Sequence, residues 1–172
     1  MNKFVELIIC LILIRITDGY GQSSYSAIID WKFVDTVFIY DKPGGQVIDK
    51  MKNDSINEDF LHLILLDQTE DYFYVNIELI IQSHKSKGWI KKTDYIGAYK
   101  KHEQFIMDLV IYRLKKEDEE NMIKIKDWNP GFITVEGFSE DWNFVSISHN
   151  DEKIRGWIQS SELCANAYTY CN

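Results

Sequence analysis

Apolar residues in this chain fall in short runs and alternations, not at helical spacing. Phe60-Leu61-His62-Leu63-Ile64-Leu65-Leu66 is an apolar run of strand length. Gly131-Phe132-Ile133-Thr134-Val135 is a second, rich in β-forming residues. From Tyr72 to Ile77 the chain alternates: Tyr72, Tyr74 and Asn76 share one face of a predicted strand, and Phe73, Val75 and Ile77 the other. Polar turns, Asp67 to Asp71 and Gly137 to Asp141, separate such runs. Pro43-Gly44-Gly45 and Asn129-Pro130-Gly131 are further turn signals. No long stretch carries apolar residues at spacings of three and four, so helix is scarce. The pattern predicts an all-β fold of short strands, a small barrel or sandwich.

Aligning the chain with itself reveals an internal repeat. Val37-Phe38-Ile39-Tyr40 corresponds to Leu109-Val110-Ile111-Tyr112. Glu70 to Ile77 matches Glu140 to Ile147, with aromatic or apolar residues at the same places. Lys87-Gly88-Trp89-Ile90 matches Arg155-Gly156-Trp157-Ile158, and Thr93-Asp94-Tyr95 matches Ser161-Glu162-Leu163. The offsets between blocks, 72, 70 and 68, differ only by small changes in loop length. Three blocks in the same order define two tandem units.

The Gly-Trp-Ile block has a physical logic of its own. Gly88 and Gly156 let a strand turn or approach another backbone closely. Trp89 and Trp157 then cover one face and the isoleucines plug the other, which makes the tryptophans structural. A tyrosine strand followed by Asp41-Lys42-Pro43-Gly44-Gly45-Gln46-Val47-Ile48, an aromatic hairpin strand from Tyr72 to Val75, Gly88-Trp89-Ile90 and a closing strand at Tyr95 together resemble bacterial SH3-like domains. The second unit resembles that family through Tyr112, Trp142 to Val145, Gly156-Trp157-Ile158 and Leu163. It departs at its start, where Arg113 to Glu120 replaces the Pro-Gly-Gly turn. The resemblance implies two tandem SH3-like β-barrels, at residues 22–99 and 105–172, joined near Tyr99 to Gln104.

Residues 1–21 read as an export signal. Lys3 supplies a positive start, Leu7 to Ile14 is a continuous apolar run, and Gly19 and Gly21 flank a cleavage point before Gln22. The run is too short for a membrane span, which needs about 20 apolar residues. Export predicts a periplasmic or extracellular chain. Cys164 and Cys171 then read as a disulfide in an oxidising compartment. Two cysteines with no histidine or second pair nearby leave a tetrahedral metal set incomplete.

Charge narrows the partners. The formal net charge is −8, with 19 basic and 27 acidic residues, and the signal segment carries two of each, so cleavage leaves it unchanged. Such a chain lacks the basic footprint of a nucleic-acid binder. It suits a cationic protein partner through electrostatic steering. No catalytic pattern stands out. His62, His84, His102 and His149 are scattered, no Gly-x-Ser-x-Gly elbow occurs, and Gly44-Gly45 lacks the Lys-Ser/Thr ending of a phosphate loop. Neither a metal nor a cofactor is predicted.

A non-enzymatic binding role follows from the resemblance, because bacterial SH3-like domains bind cell-wall peptides. Aromatic platforms hold extended peptides by stacking and edge hydrogen bonds. The candidate ligand-binding residues are Tyr40, Tyr72 and Tyr74 in the first unit and Tyr112 and Trp142 in the second, with core filling as the competing role for each. The expected partner is cell-wall peptide or an envelope protein. An inhibitor or immunity-type protein against a basic wall-degrading enzyme or toxin is the alternative.

Overall fold

The structure, a computed structural model, describes residues 25–101, 107–128 and 131–166. The predicted export signal, His102 to Gln104 and Cys171 lie outside the described residues.

Among the described residues thirteen strands follow one another: β1 Tyr25–Ile29, β2 Val37–Tyr40, β3 Val47–Met51, β4 Leu61–Gln68, β5 Tyr72–Leu79, β6 His84–Lys91, β7 Ile96–Lys100, β8 Met107–Tyr112, β9 Met122–Trp128, β10 Ile133–Ser139, β11 Trp142–His149, β12 Glu152–Gln159 and β13 Leu163–Cys164. A 3-10 turn, Ser160–Glu162, precedes β13. The all-β class predicted from the alternation holds: no α-helix occurs among the described residues. The strands form one open sheet, ordered β3-β2-β6-β5-β4-β1-β7-β10-β11-β12-β8-β9, with β13 on β7, and every pairing is antiparallel.

The order is a repeat written in strands. β3-β2-β6-β5-β4 in the first half corresponds to β9-β8-β12-β11-β10 in the second. The pairings agree residue by residue. Tyr40 faces Trp89 as Tyr112 faces Trp157, and Val75 faces Gly88 as Val145 faces Gly156. Both central hairpins carry a bulge at the same place, between Leu65 and Asp67 and between Val135 and Gly137. A bulge bends its strand and increases the local twist.

The turns between strands differ in chemistry. Before β5, Thr69 N–H donates to Tyr72 O at 2.8 Å, and Thr69 Oγ1 accepts from Tyr72 N–H at 3.1 Å. Between β11 and β12, Asn150 and Asp151 both take positive φ, 51° and 62°. Two such residues form the mirror-image turns whose twist matches that of paired strands.

The alternation read from sequence separates two faces, and packing makes one of them core. Phe73, Val75 and Ile77 are buried, while Tyr72 and Tyr74 on the other face are half-buried. Leu61, Leu63, Leu65 and Ile90 join them from β4 and β6, and Leu109, Ile111, Val145 and Ile158 contribute from the second half to the same cluster. Each such aliphatic side chain stabilises the fold by roughly 1.5–3 kcal/mol on burial.

The junction between halves departs from the sequence expectation. Tyr99 and Lys100, read as the start of a polar connection, lie in β7. That strand pairs with β1 at Ile96 and Gly97, with β10 at Gly97 and Ala98, and with β13 at Tyr99 and Lys100. It stands to β1 and β4 as β13 stands to β7 and β10. One strand therefore closes the first half and opens the second. Gly97 makes this possible: a Cβ there would meet Ile133 O at 2.0 Å.

Candidate functional site: two aromatic strips

Direct cross-strand partners share a face of a sheet. Trp89 on β6 is opposite both Tyr40 on β2 and Tyr74 on β5, so the three form a row across the strands. Tyr72 lies two residues before Tyr74 on the same face. The rings touch: Tyr74 and Trp89 have centroids 5.1 Å apart, and Tyr40 meets Tyr72 edge to face at 6.0 Å. All four are half-buried.

The second half rebuilds this arrangement. Trp157 is opposite both Tyr112 and Phe144, and Trp142 completes the set. Phe144 and Trp157 have centroids 5.1 Å apart, and Tyr112 meets Trp142 edge to face at 5.6 Å. All five candidate residues, Tyr40, Tyr72, Tyr74, Tyr112 and Trp142, thus lie on the half-buried face and gather into two strips.

The strips also contain residues the sequence reading left out. Trp89 and Trp157, assigned to packing, lie beside the candidate tyrosines, while Ile90 and Ile158 take the core side. Phe144 was not singled out, although the repeat sets it at the position of Tyr74. That alignment was the available signal; cross-strand register, which needs the hairpins, supplies the rest.

Gly88 and Gly156 explain how the strips close up. A Cβ at Gly88 would lie 2.6 Å from Ile39 Cγ2 and 2.8 Å from Tyr40 O. One at Gly156 would lie 2.8 Å from Tyr112 O. Only glycine lets β6 approach β2, and β12 approach β8, closely enough to put tryptophan against tyrosine.

A cleft of about 480 Å³ adjoins the first strip, lined by His62, Ile64, Asn76, Glu78, Lys85, Ser86 and Lys87. Burial lowers the His62 pKa below its usual value, with Glu78 and Asp59 opposing the shift. Lys85 pairs with Glu78 at 2.6 Å, and Lys87 Nζ stands 5.3 Å from the Tyr74 ring centroid. A second cleft, of about 360 Å³, lies between the halves among Glu70, Lys92, Asp94, Thr134, Glu136, Phe144, Lys153 and Arg155. Burial opposes the Glu136 carboxylate, but Ser146, Arg155 and Lys153 outweigh it and hold its pKa below the usual range. Burial lowers the Lys92 pKa against the pull of Asp71, Glu136 and Glu70, and its ammonium stands 4.5 Å from the Phe73 ring centroid.

Around the second strip, burial first and then Glu117, Glu162 and Asp118 push the Tyr112 phenol above its usual pKa. Lys115 Nζ stands 5.7 Å from the Trp157 ring centroid and 3.5 Å from Glu140.

Cys164 is buried and disulfide-bonded; Cys171, its expected partner, is outside the described residues. Among the described residues no group of three or more His, Cys, Asp or Glu side chains is arranged to hold a metal ion, and no helix is long and apolar enough to cross a membrane. No protein-family model, curated protein or solved structure matches the chain. Chemically, the strips offer ring faces for stacking and phenol hydroxyls for hydrogen bonds.

Proposed function

We propose that the chain is an exported, non-enzymatic binding protein of the bacterial cell envelope, built from two SH3-like units that hold cell-wall peptide along their aromatic strips. The observation that carries the reading is the duplicated strip: four aromatic residues in each half, in the same register, half-exposed over a largely apolar core. Core packing alone accounts for Phe73 or Ile90, but it gives no reason to keep two matching aromatic rows on the opposite face. An extended peptide presents alternating side chains and a hydrogen-bonding backbone, which suits a row of rings with phenol hydroxyls. The resemblance of the Tyr40–Ile48 and Gly88-Trp89-Ile90 blocks to bacterial SH3-like domains supplies the ligand class.

The net charge of −8 supports one other reading, a small inhibitor of a basic wall-degrading enzyme or toxin. Retention on purified wall sacculi separates the two. The mature chain from Gln22 binds sacculi if the first reading holds, and a Tyr72→Ala/Trp142→Ala variant is released while melting within a few degrees of wild type. No retention by wild type, together with capture of one tight basic protein partner, would replace wall binding by inhibition.

A further inference from the structure

Although the two strips match in their rings, they differ in the charges beside them. In the first half Lys87 and Lys91 flank Trp89 on the same face of β6, two residues to either side, and Lys91 is directly opposite Tyr72. Both are exposed. Neither enters an ion pair among the described residues. In a chain where acids outnumber bases 27 to 19, two lysines left without a carboxylate on an aromatic row are notable. At the equivalent places the second half has Arg155 and Gln159. The Arg155 guanidinium is held by both Glu136 oxygens, at 2.9 and 3.1 Å. Gln159 is neutral and donates to Glu117. Lys153, in the place of Lys85, is shared by Asp94 at 3.1 Å and Glu136 at 3.2 Å.

We infer that the first strip, with Lys87, Lys91 and the cleft beside them, takes a carboxylate-bearing segment of an extended peptide, and that the second strip does not share this preference. The inference rests on the wall-peptide reading above and names the chemistry that one of its two strips selects. Lys87 and Lys91 lie roughly 13 Å apart along the strand, at the rise of an extended backbone. A peptide laid along the row therefore presents carboxylates to both while its body stacks on Trp89 and Tyr74. Asn76, directly opposite Lys87 and lining the cleft beside it, adds a hydrogen-bonding amide. The second strip has its nearby cations already neutralised, so a carboxylate arriving there meets no open partner.

The test uses the mature chain and two soluble probes, a muramyl tetrapeptide with free carboxylates and the same compound with every carboxylate amidated, titrated calorimetrically beside a sacculus-retention assay. The free form is expected to bind about tenfold more tightly, the scale of a charge-assisted contact. A Lys87→Gln/Lys91→Gln variant, which replaces only exposed side chains, is expected to melt like wild type and bind both probes equally. Arg155→Gln keeps the preference. Equal affinity of wild type for both probes, or binding of neither while sacculi are still retained, overturns the charge inference and leaves the wall-binding reading standing. So does a preference that survives in the double-lysine variant. Loss of sacculus retention by wild type itself overturns the reading beneath it, and the inference with it.

Discussion

At one pair of positions the halves make opposite choices. In the first, Gln68 faces Phe73 across the central hairpin; in the second, Phe138 faces Asn143. Polar and aromatic residues have exchanged strands. The exchange lets the halves grip each other: Gln68 Nε2 donates to Phe138 O at 2.6 Å, and Phe138 stacks against Phe73 at 6.1 Å and packs at a tilt against Tyr25 at 4.4 Å. Asn143, buried where Phe73 would otherwise repeat, is satisfied by donating to Ser160 Oγ at 2.8 Å. Duplication copies a fold, and positions where the copies differ then add to the contact that the β7–β10 ladder makes between them.

The largest expected effect tests this directly. Phe73→Ala removes a fully buried ring and is expected to cost about 3–5 kcal/mol. Asn143→Ala, at the equivalent place, loses one hydrogen bond and is expected to cost about 1–2 kcal/mol. Urea denaturation of both variants reads the difference; equal costs would show that the second half relies on this position as heavily as the first.

Next come Gly88→Ala and Gly156→Ala, each expected to cost about 1–3 kcal/mol through overpacking. Gly88→Ala is expected to be the worse, because its Cβ would crowd a side chain at 2.6 Å as well as a carbonyl at 2.8 Å. At Gly156 the nearest side-chain atom is the flexible end of Ile111, at 3.0 Å. The reverse ranking in thermal melts would mean that β2 yields more readily than β8.

A smaller effect separates the halves by pH. Phe132 occupies in the second half the place of His62 in the first. The unfolded chain protonates His62 near the usual value of 6.5, and the folded chain only at lower pH, because burial lowers its pKa. The unfolded state therefore binds the extra proton first. This contribution to stability is full above about pH 6.5 and declines as pH falls toward the folded-state pKa, levelling off below it. His62→Phe is expected to flatten that part of the stability profile between about pH 7 and 5, measured by urea denaturation at each pH. An unchanged slope would show that His62 keeps its ordinary affinity for the proton.

The smallest stability effects belong to the strips. Tyr72→Ala and Trp142→Ala each remove a half-exposed ring and its edge-to-face contact and are expected to lower stability by about 0.5–1 kcal/mol, the scale of one aromatic pair. Thermal melts check this, and large losses in both would move the strips from recognition to packing.

Periodicity and the repeat made much of this protein legible from its residues alone. Alternation along Tyr72 to Ile77 separated two faces because a strand turns its side chains every second residue, whatever surrounds it; packing decided that the Phe73 face is the core. The matched blocks put aromatic residues at equivalent positions for the same local reason. Partner choice between strands is not local. The strip needed Tyr40, Tyr74 and Trp89 to be aligned by hairpin register, and so Trp89, Trp157 and Phe144 became part of it only once β6 and β12 were in place. β1 has no counterpart in the blocks that revealed the duplication, and β7 was matched only by its role in closing the first half. Its second role, opening the other half against β10, depends on Gly97 meeting the backbone at Ile133, a contact 36 residues distant in sequence. A strand offers two hydrogen-bonding edges, and its own residues do not say which neighbours will take them; that was decided by packing the two halves together.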